Sequence, residues 1–418
     1  MVRIFSNYKK HLKLHYRRWK AGRQDINLEQ GVSYRELGSA GYHTFFGYYE
    51  VTPYDHQDER LLAVRCKAGK NWAKAGTPLE LGYFDLTSKA GAFNPLGSSR
   101  AWCWQMGCRL QWLNRLSENM VFFNETQSGK HVSVMKDVVT GEVYNILPRA
   151  GYSVSEERKV SISLNFSRLQ RLRPGYGYDD IKDMTLNVAA PEDDGLWAID
   201  LESGDEQLLL SLKEVALVNP HPTMEGATHY FNHVLWNPDS SRFFFIHLWV
   251  DISGKRYGRG LVWDMETEST IDLGLVKHTS HYWWINPNEL VVFSTHEDTG
   301  MHYHFYDVIS GTHSVLGAGV LTEDGHPSFR PGSERWMLTD TYPNKLRDQT
   351  LMVFDKKANS IRTIASIFSP PKFTGEFRCD LHPRWNHAGT EVCIDAPHKG
   401  ERRLGLFKLS NFIEFGEG

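Results

Sequence analysis

His233, His281, His326 and His382 stand 48, 45 and 56 residues apart, each at the head of a similar stretch. In His233-Val-Leu-Trp236-Asn-Pro238-Asp239, His281-Tyr-Trp-Trp284-Ile-Asn-Pro287, His326-Pro-Ser-Phe329-Arg-Pro331-Gly332 and His382-Pro-Arg-Trp385-Asn, a histidine opens a short apolar-aromatic run that ends in a turn. A lone histidine is more often a satisfied core residue than a ligand. Four at one repeat-equivalent position converge if the repeats are arranged around an axis, and three or four imidazoles facing one point suit a divalent transition metal such as Mn or Zn. The alternative is that each imidazole hydrogen-bonds its neighbouring repeat. His43, in Gly41-Tyr-His-Thr-Phe-Phe-Gly47, is a candidate for the same mouth. A second cluster, Asn165-Phe-Ser-Arg168-Leu-Gln-Arg171-Leu-Arg173-Pro-Gly-Tyr176-Gly-Tyr178, reads as an exposed loop. Its arginines can clamp a carboxylate in a two-point fork and its tyrosines can stack on a sugar ring; the plainer reading is a solvated basic loop. Gln105, Arg109, Asn124 and His131 are weaker candidates. No GxSxG elbow, Walker A loop or GxGxxG fingerprint is present.

These residues need a scaffold that repeats. Each unit runs as a short aromatic strand, a Trp/Phe-x-Pro turn, a strongly apolar strand such as Arg242-Phe-Phe-Phe-Ile246, and a third strand ending in Asp before a Gly turn, such as Gly260-Leu-Val-Trp-Asp264. Fainter copies surround Gln111-Trp112, Tyr152-Ser-Val and Gly47-Tyr-Tyr. A period of about 40–50 residues with four short strands is the signature of a β-propeller, whose blades cannot bury both faces alone. The chain is therefore expected to be all-β, a seven-bladed propeller over residues 30–418 preceded by a basic amphipathic arm over residues 1–29. The segment Val32–Leu37 is expected to pair with the last blade and close the ring, leaving no open edge.

Across 418 residues the formal charge is −3, with 41% apolar and 23% charged residues, enough apolar content for a large core. That average hides a division. Residues 1–23 carry eight Lys or Arg and no Asp or Glu, so the arm is +8 and the rest −11. An acidic body argues against a nucleic-acid partner. Ile4, Tyr8, Leu12, Tyr16 and Trp19 recur at helical spacing beside the basic residues, which suits peripheral contact with an anionic membrane; the alternative is an arm packed on its own acidic body. The opening residues lack a signal-peptide pattern and no run is long enough to span a bilayer, so the expected location is cytoplasmic. The five cysteines have neither disulfide-framework nor zinc-clip spacing and are expected to be buried thiols.

The turns Trp236-Asn-Pro-Asp-Ser and Phe329-Arg-Pro-Gly-Ser resemble the TolB-like propeller repeat. With the blade-heading histidines, residues 229–249, 280–284, 325–342 and 378–395 are similar to the oligogalacturonate lyase family of uronate polysaccharide lyases. The resemblance covers most of the chain as a pattern of landmarks. It implies β-elimination from a uronate-containing oligo- or polysaccharide, with His233 as the base, Arg168 or Arg173 neutralising the carboxylate, and Tyr176 or Tyr178 donating a proton. It also implies a manganese site, onto which His281, His326 and His382 map. The family's Gln-x-x-His-x-His cluster falls on Phe377-Arg-Cys-Asp380-Leu-His382, where only the last histidine survives and Asp380 would replace another ligand. Two other classes stay open: a membrane-associated glycan hydrolase or polysaccharide-biosynthesis enzyme, for which Asp340, Asp380 and Asp395 are the carboxylates to watch, and a propeller that binds sugar or protein without catalysis.

Overall fold

The computed structural model describes residues 12–14, 16–69, 76–88, 91–274 and 278–413. Each blade is an antiparallel sheet whose strands follow one another in sequence, apart from the two strands that the start of the chain adds to blades 6 and 7. Blade 1 runs from Tyr42–Phe45 to Phe93–Ser99, blade 2 from Gln111–Trp112 to Val143–Leu147, and blade 3 from Gly151–Ser155 to Glu206–Ser211. Blade 4 runs from Thr228–Trp236 to Ser269–Asp272 and blade 5 from Thr279–Trp284 to His313–Leu316. Blade 6 runs from Ser328–Phe329 to Ser360–Phe368. Blade 7 holds Arg384–Trp385, Glu391–Ala396 and Arg403–Lys408, and its fourth strand is Ser33–Leu37 from the start of the chain. The chain is thus a seven-bladed β-propeller. Ring closure follows the expected pairing, in register from Ser33 opposite Lys408 to Leu37 opposite Leu404.

The repeat residues have identifiable duties. Trp112, Trp236, Trp284 and Trp385 each donate the indole N–H to a backbone carbonyl of the preceding blade, at Pro53, Ser153, Leu235 and Ser328 respectively. Each tryptophan therefore fills the wedge between blades and supplies the one polar partner that its burial demands. The Asp that ends the third strand caps the following turn: Asp200 accepts from the N–H groups of Glu202 and Ser203, and Asp307 from those of Ile309 and Ser310. Short polar side chains of this kind mimic a backbone turn. All five cysteines are buried and free.

The arm departs from its expected boundary. Ile26–Leu28, assigned to it from sequence, is a fifth strand on blade 6, paired with Ser360–Phe368. Residues 12–14 and 16–20 are helical, while residues 1–11, with Ile4 and Tyr8 of the predicted stripe, lie outside the described residues. No described helix is long and apolar enough to cross a membrane.

Candidate active site in the central channel

The channel is filled by the segment that follows the first strand of blade 1. Tyr48, Tyr49 and Glu50 run into it and are buried. The four repeat-equivalent histidines surround Tyr48, with ring centroids 4.9 Å from it for His233, 6.2 Å for His281, 6.0 Å for His326 and 4.9 Å for His382. Two of them reach inward through unusual backbone. His233 and His382 have φ of +57° and +45°, a region side chains seldom adopt. At His233 the register with the next strand slips, so a bulge turns the imidazole into the channel.

On one side of Tyr48 lies a ligand-like group. His281 and His326 rings are 4.1 Å apart, and His326 and His382 rings 4.5 Å. His326, Asp380 and His382 each bring one donor atom within 4.8 Å of the others. Asp340 accepts from His326 Nδ1 at 2.8 Å and from the His326 backbone N–H at 2.8 Å. That contact favours the Nδ1–H tautomer and turns Nε2 away from Asp340, as carboxylates do beside ligating histidines. Burial lowers the ring, but Asp340, Asp380 and Asp324 outweigh it and raise His326 above its ordinary value, so a cation at Nε2 would displace a proton. His326 Nε2 and both His382 nitrogens are buried without a hydrogen-bond partner. Orphaned buried donors of this kind fit a divalent cation. Asp380 is also gripped by Arg378 at 2.5 and 2.6 Å. Burial works against its ionisation, but Arg378 and the His326 and His382 rings hold its carboxyl well below the usual range. His281 stands outside the trio, with Nδ1 2.9 Å from Asp324.

The opposite side is a hydrogen-bonded acid–imidazole network. His233 Nδ1 lies 3.0 Å from the Tyr152 hydroxyl and 3.5 Å from Glu50 Oε1, and Nε2 lies 3.4 Å from the Tyr48 hydroxyl. Glu50 also receives Arg109 Nη1 at 3.0 Å and the Tyr282 hydroxyl. Burial raises the Glu50 carboxyl above its usual range although Arg109 pulls it down, and burial, then Arg173, pushes His233 well below that of a free imidazole. His233 is therefore neutral at neutral pH.

The loop cluster divides. Arg173 and Tyr176 belong to the channel mouth: the guanidinium stacks 4.2 Å from the Tyr176 ring, which stands 5.7 Å from His233 and 6.3 Å from Tyr48. Among the described residues no carboxylate pairs with Arg173. The neighbouring arginines are committed: Arg109 to Glu50, Arg378 to Asp380, and Arg384 and Arg402 to Asp395. Arg168 does not face the site. It sits on the helix Phe166–Leu172 and donates to the carbonyls of His229, Thr185, Val188 and Ala189 and to the Thr185 hydroxyl, so its donors are used in tying down a loop. Tyr178 is also elsewhere, buried against Phe166 at 4.2 Å with its hydroxyl accepting from Asn124. His43 lies at the seam of blades 1 and 7, where Nδ1 accepts from the Arg402 N–H at 3.0 Å. Tyr48, Glu50, Asp324, Arg378 and Tyr342, whose ring lies 4.6 Å from the Arg378 guanidinium and 6.0 Å from His326, were not singled out from sequence. The available signal at Glu50 was a lone acid in the otherwise aromatic Gly47-Tyr-Tyr-Glu50-Val.

Asp340, Asp380 and Asp395, the carboxylates of a hydrolase reading, are each bound to a histidine or arginine. Asp395 is fully buried. Burial raises its carboxyl, but Arg384 and Arg402 outweigh that and hold it well below the usual range. A glycosidase acid must hold a proton at working pH, so neither Asp380 nor Asp395 suits that task.

No family model matches the chain and no curated protein matches it by sequence. Solved structures do match in shape. An oligogalacturonate lyase in complex with manganese has a TM-score of 0.62 at 14% identity, covering 90% of this chain and 96% of that one. The oligogalacturonate lyase of Vibrio parahaemolyticus has a TM-score of 0.62 at 11% identity, covering 94% and 100%. At such identities the likeness is one of fold, and the chain has the seven-bladed propeller fold of the oligogalacturonate lyases.

Proposed function

We propose that the protein binds the carboxylate of a uronate-containing oligosaccharide at the channel mouth and cleaves the chain by β-elimination. The observation that carries this reading is Arg173, a half-buried cation without an acidic partner among the described residues, stacked on Tyr176, whose ring stands 5.7 Å from His233. An uncommitted guanidinium beside an aromatic face suits a sugar acid, because it offers a planar fork for the carboxylate and a surface for the ring. The fold shared with lyases that act on such sugars supports the same reading.

The chemistry asks for charge neutralisation, a base and an acid. The proton at C5 is α to a carboxylate and becomes removable only when negative charge developing on that group is stabilised. Arg173 serves this from one side. His326 and His382, with Asp380 beside them, would hold a divalent metal on the other, and when bound that ion supplies further Lewis-acid neutralisation. Neutral His233 takes the C5 proton, with Glu50 and Tyr152 orienting its ring. The C5–H electron pair forms the C4–C5 double bond, the C4–O bond breaks, and the departing oxygen takes a proton from Tyr176 or water.

A panel of oligouronates, followed by ultraviolet absorbance of the unsaturated product with added Mn or Zn, tests the reading. Turnover is expected, with Arg173→Ala and His233→Ala each lowering kcat/KM at least a hundredfold. Turnover that survives His233→Ala removes that residue as the base. No unsaturated product from any oligouronate overturns the lyase reading itself.

A further inference from the structure

The function proposed above makes no use of the arm, whose described residues have an unusual arrangement. In the helical residues 12–14 and 16–20, Leu12, Tyr16 and Trp19 are 53%, 59% and 75% exposed. They fall at i, i+4 and i+7, one stripe of a helix turning 100° per residue. Tyr16 and Trp19 rings lie 6.0 Å apart, so two of the three form one aromatic surface. Lys13, Arg17 and Lys20 are exposed along its flank.

An amphipathic helix on a globular body normally docks by its apolar side. Here the attachment is a buried charge on a different side. Arg18 is 3% exposed and pairs with Asp348. It also donates to the carbonyls of Leu346 at 2.8 Å and Gln24 at 2.7 Å, and its guanidinium lies 3.9 Å from the Phe368 ring centroid. Arg23 adds a second contact to Asp348 at 3.7 Å. The arm is thus fixed to blade 6 while its apolar stripe and basic flank face outward.

We propose that this outward face is a docking surface for an anionic lipid bilayer. Aromatic and aliphatic side chains sit at the headgroup boundary, and lysines and arginines beside them meet acidic headgroups. Charge complementarity selects this occupant: residues 1–23 carry +8 without a single acid, Lys13, Arg17 and Lys20 remain on the outward face once Arg18 and Arg23 are taken by Asp348, and the −11 body would be repelled by the same surface without the arm. The helix thereby holds the propeller at the membrane through a rigid attachment.

Vesicle flotation of the full chain tests this. Phosphatidylcholine vesicles with phosphatidylglycerol are expected to carry the protein upward, pure phosphatidylcholine vesicles much less, and high salt should release it. Leu12→Ser/Tyr16→Ser/Trp19→Ser is expected to lower binding at least tenfold, and Arg17→Glu/Lys20→Glu by a similar factor. These positions are exposed, so the unfolding midpoint and the elution volume of both variants should match the parent. Deleting the arm is a poorer test because it leaves buried Asp348 without Arg18. Absence of flotation on anionic vesicles overturns the proposal, as does unchanged binding by either variant. If the triple serine variant instead converts a dimer to a monomer while vesicles carry neither form, the stripe is an interface between copies of this chain and the lipid assignment falls.

Discussion

Asp340 shows how much one carboxylate decides in this channel. It receives His326 Nδ1–H, so Nε2 is the nitrogen left to meet a cation beside His382 and Asp380. Asparagine at that position can still accept the His326 backbone N–H, but its amide can also donate to Nδ1. The ring would then carry its proton on Nε2, where a cation would have to bind. Asp340→Asn is therefore expected to weaken Mn binding about 10- to 100-fold, read by calorimetry or by the spectrum of the free ion. Unchanged affinity would mean that no cation is held through His326. At this scale sequence was a partial guide. Equivalence of the four histidines could be read because they recur at one repeat position, and the structure gathers them around Tyr48. Glu50 and Arg378 could not, because each depends on a partner far along the chain or on a loop without repeat equivalents. Arg109, which grips Glu50, is 59 residues away.

Blades were the most legible elements, because most carry their own punctuation: in four of them a Trp for the preceding blade, and in all but the last an Asp that ends the third strand. The segment after blade 3's second strand was harder. Its Gly, Pro and Arg content reads as a loop, yet Asn165 caps a helix by accepting from the Arg168 N–H, and that helix turns Arg168 inward. Asn165 followed by a run free of Gly and Pro was the signal, and it assigns Arg168 to structure and Arg173, beyond the helix, to the mouth. Seams between elements also set the response to acid. Burial, then Lys372 and Arg402, lowers His43 from 6.5 to about 4. The folded seam therefore binds fewer protons than the unfolded chain between those values. Its stabilisation is present in full above about 6.5 and is lost as pH falls through 4, a difference of roughly 3 kcal/mol. His43→Gln retains an acceptor for the Arg402 N–H without the proton uptake. In urea unfolding, the drop in stability from pH 7 to pH 4.5 is expected to be smaller in this variant by about 2 kcal/mol or more; an equal drop would assign the acid response to the other imidazoles that burial lowers, among them His229 and His304, both to about 4, and His233.

For the whole molecule, the decisive contact is between the two ends of the chain. Ser33–Leu37 supplies the outer strand of blade 7, and Ile26–Leu28 adds to blade 6, so the residues just after the arm hold two adjacent blades. Closure of this kind joins the last blade to the start of the chain while each blade keeps its own short outer edge, and the ring unfolds either by releasing that strand or by parting at some other seam. The two routes can be told apart. Ser33 and Lys408 are directly opposed across the ladder, and both are exposed. Ser33→Cys/Lys408→Cys would form a disulfide across the closure, and the five native cysteines, all buried, would not compete with it. A cross-link spanning nearly the whole chain restricts the unfolded state strongly, by roughly 2–4 kcal/mol in ordinary cases. The oxidised variant is expected to melt several degrees above the parent, with the gain abolished by reductant. If strand release is the first step of unfolding, the cross-link should also slow unfolding in denaturant. A higher melting temperature with an unchanged unfolding rate would place the first opening at a different seam, and unchanged values of both would show that the end strand does not limit the stability of the ring.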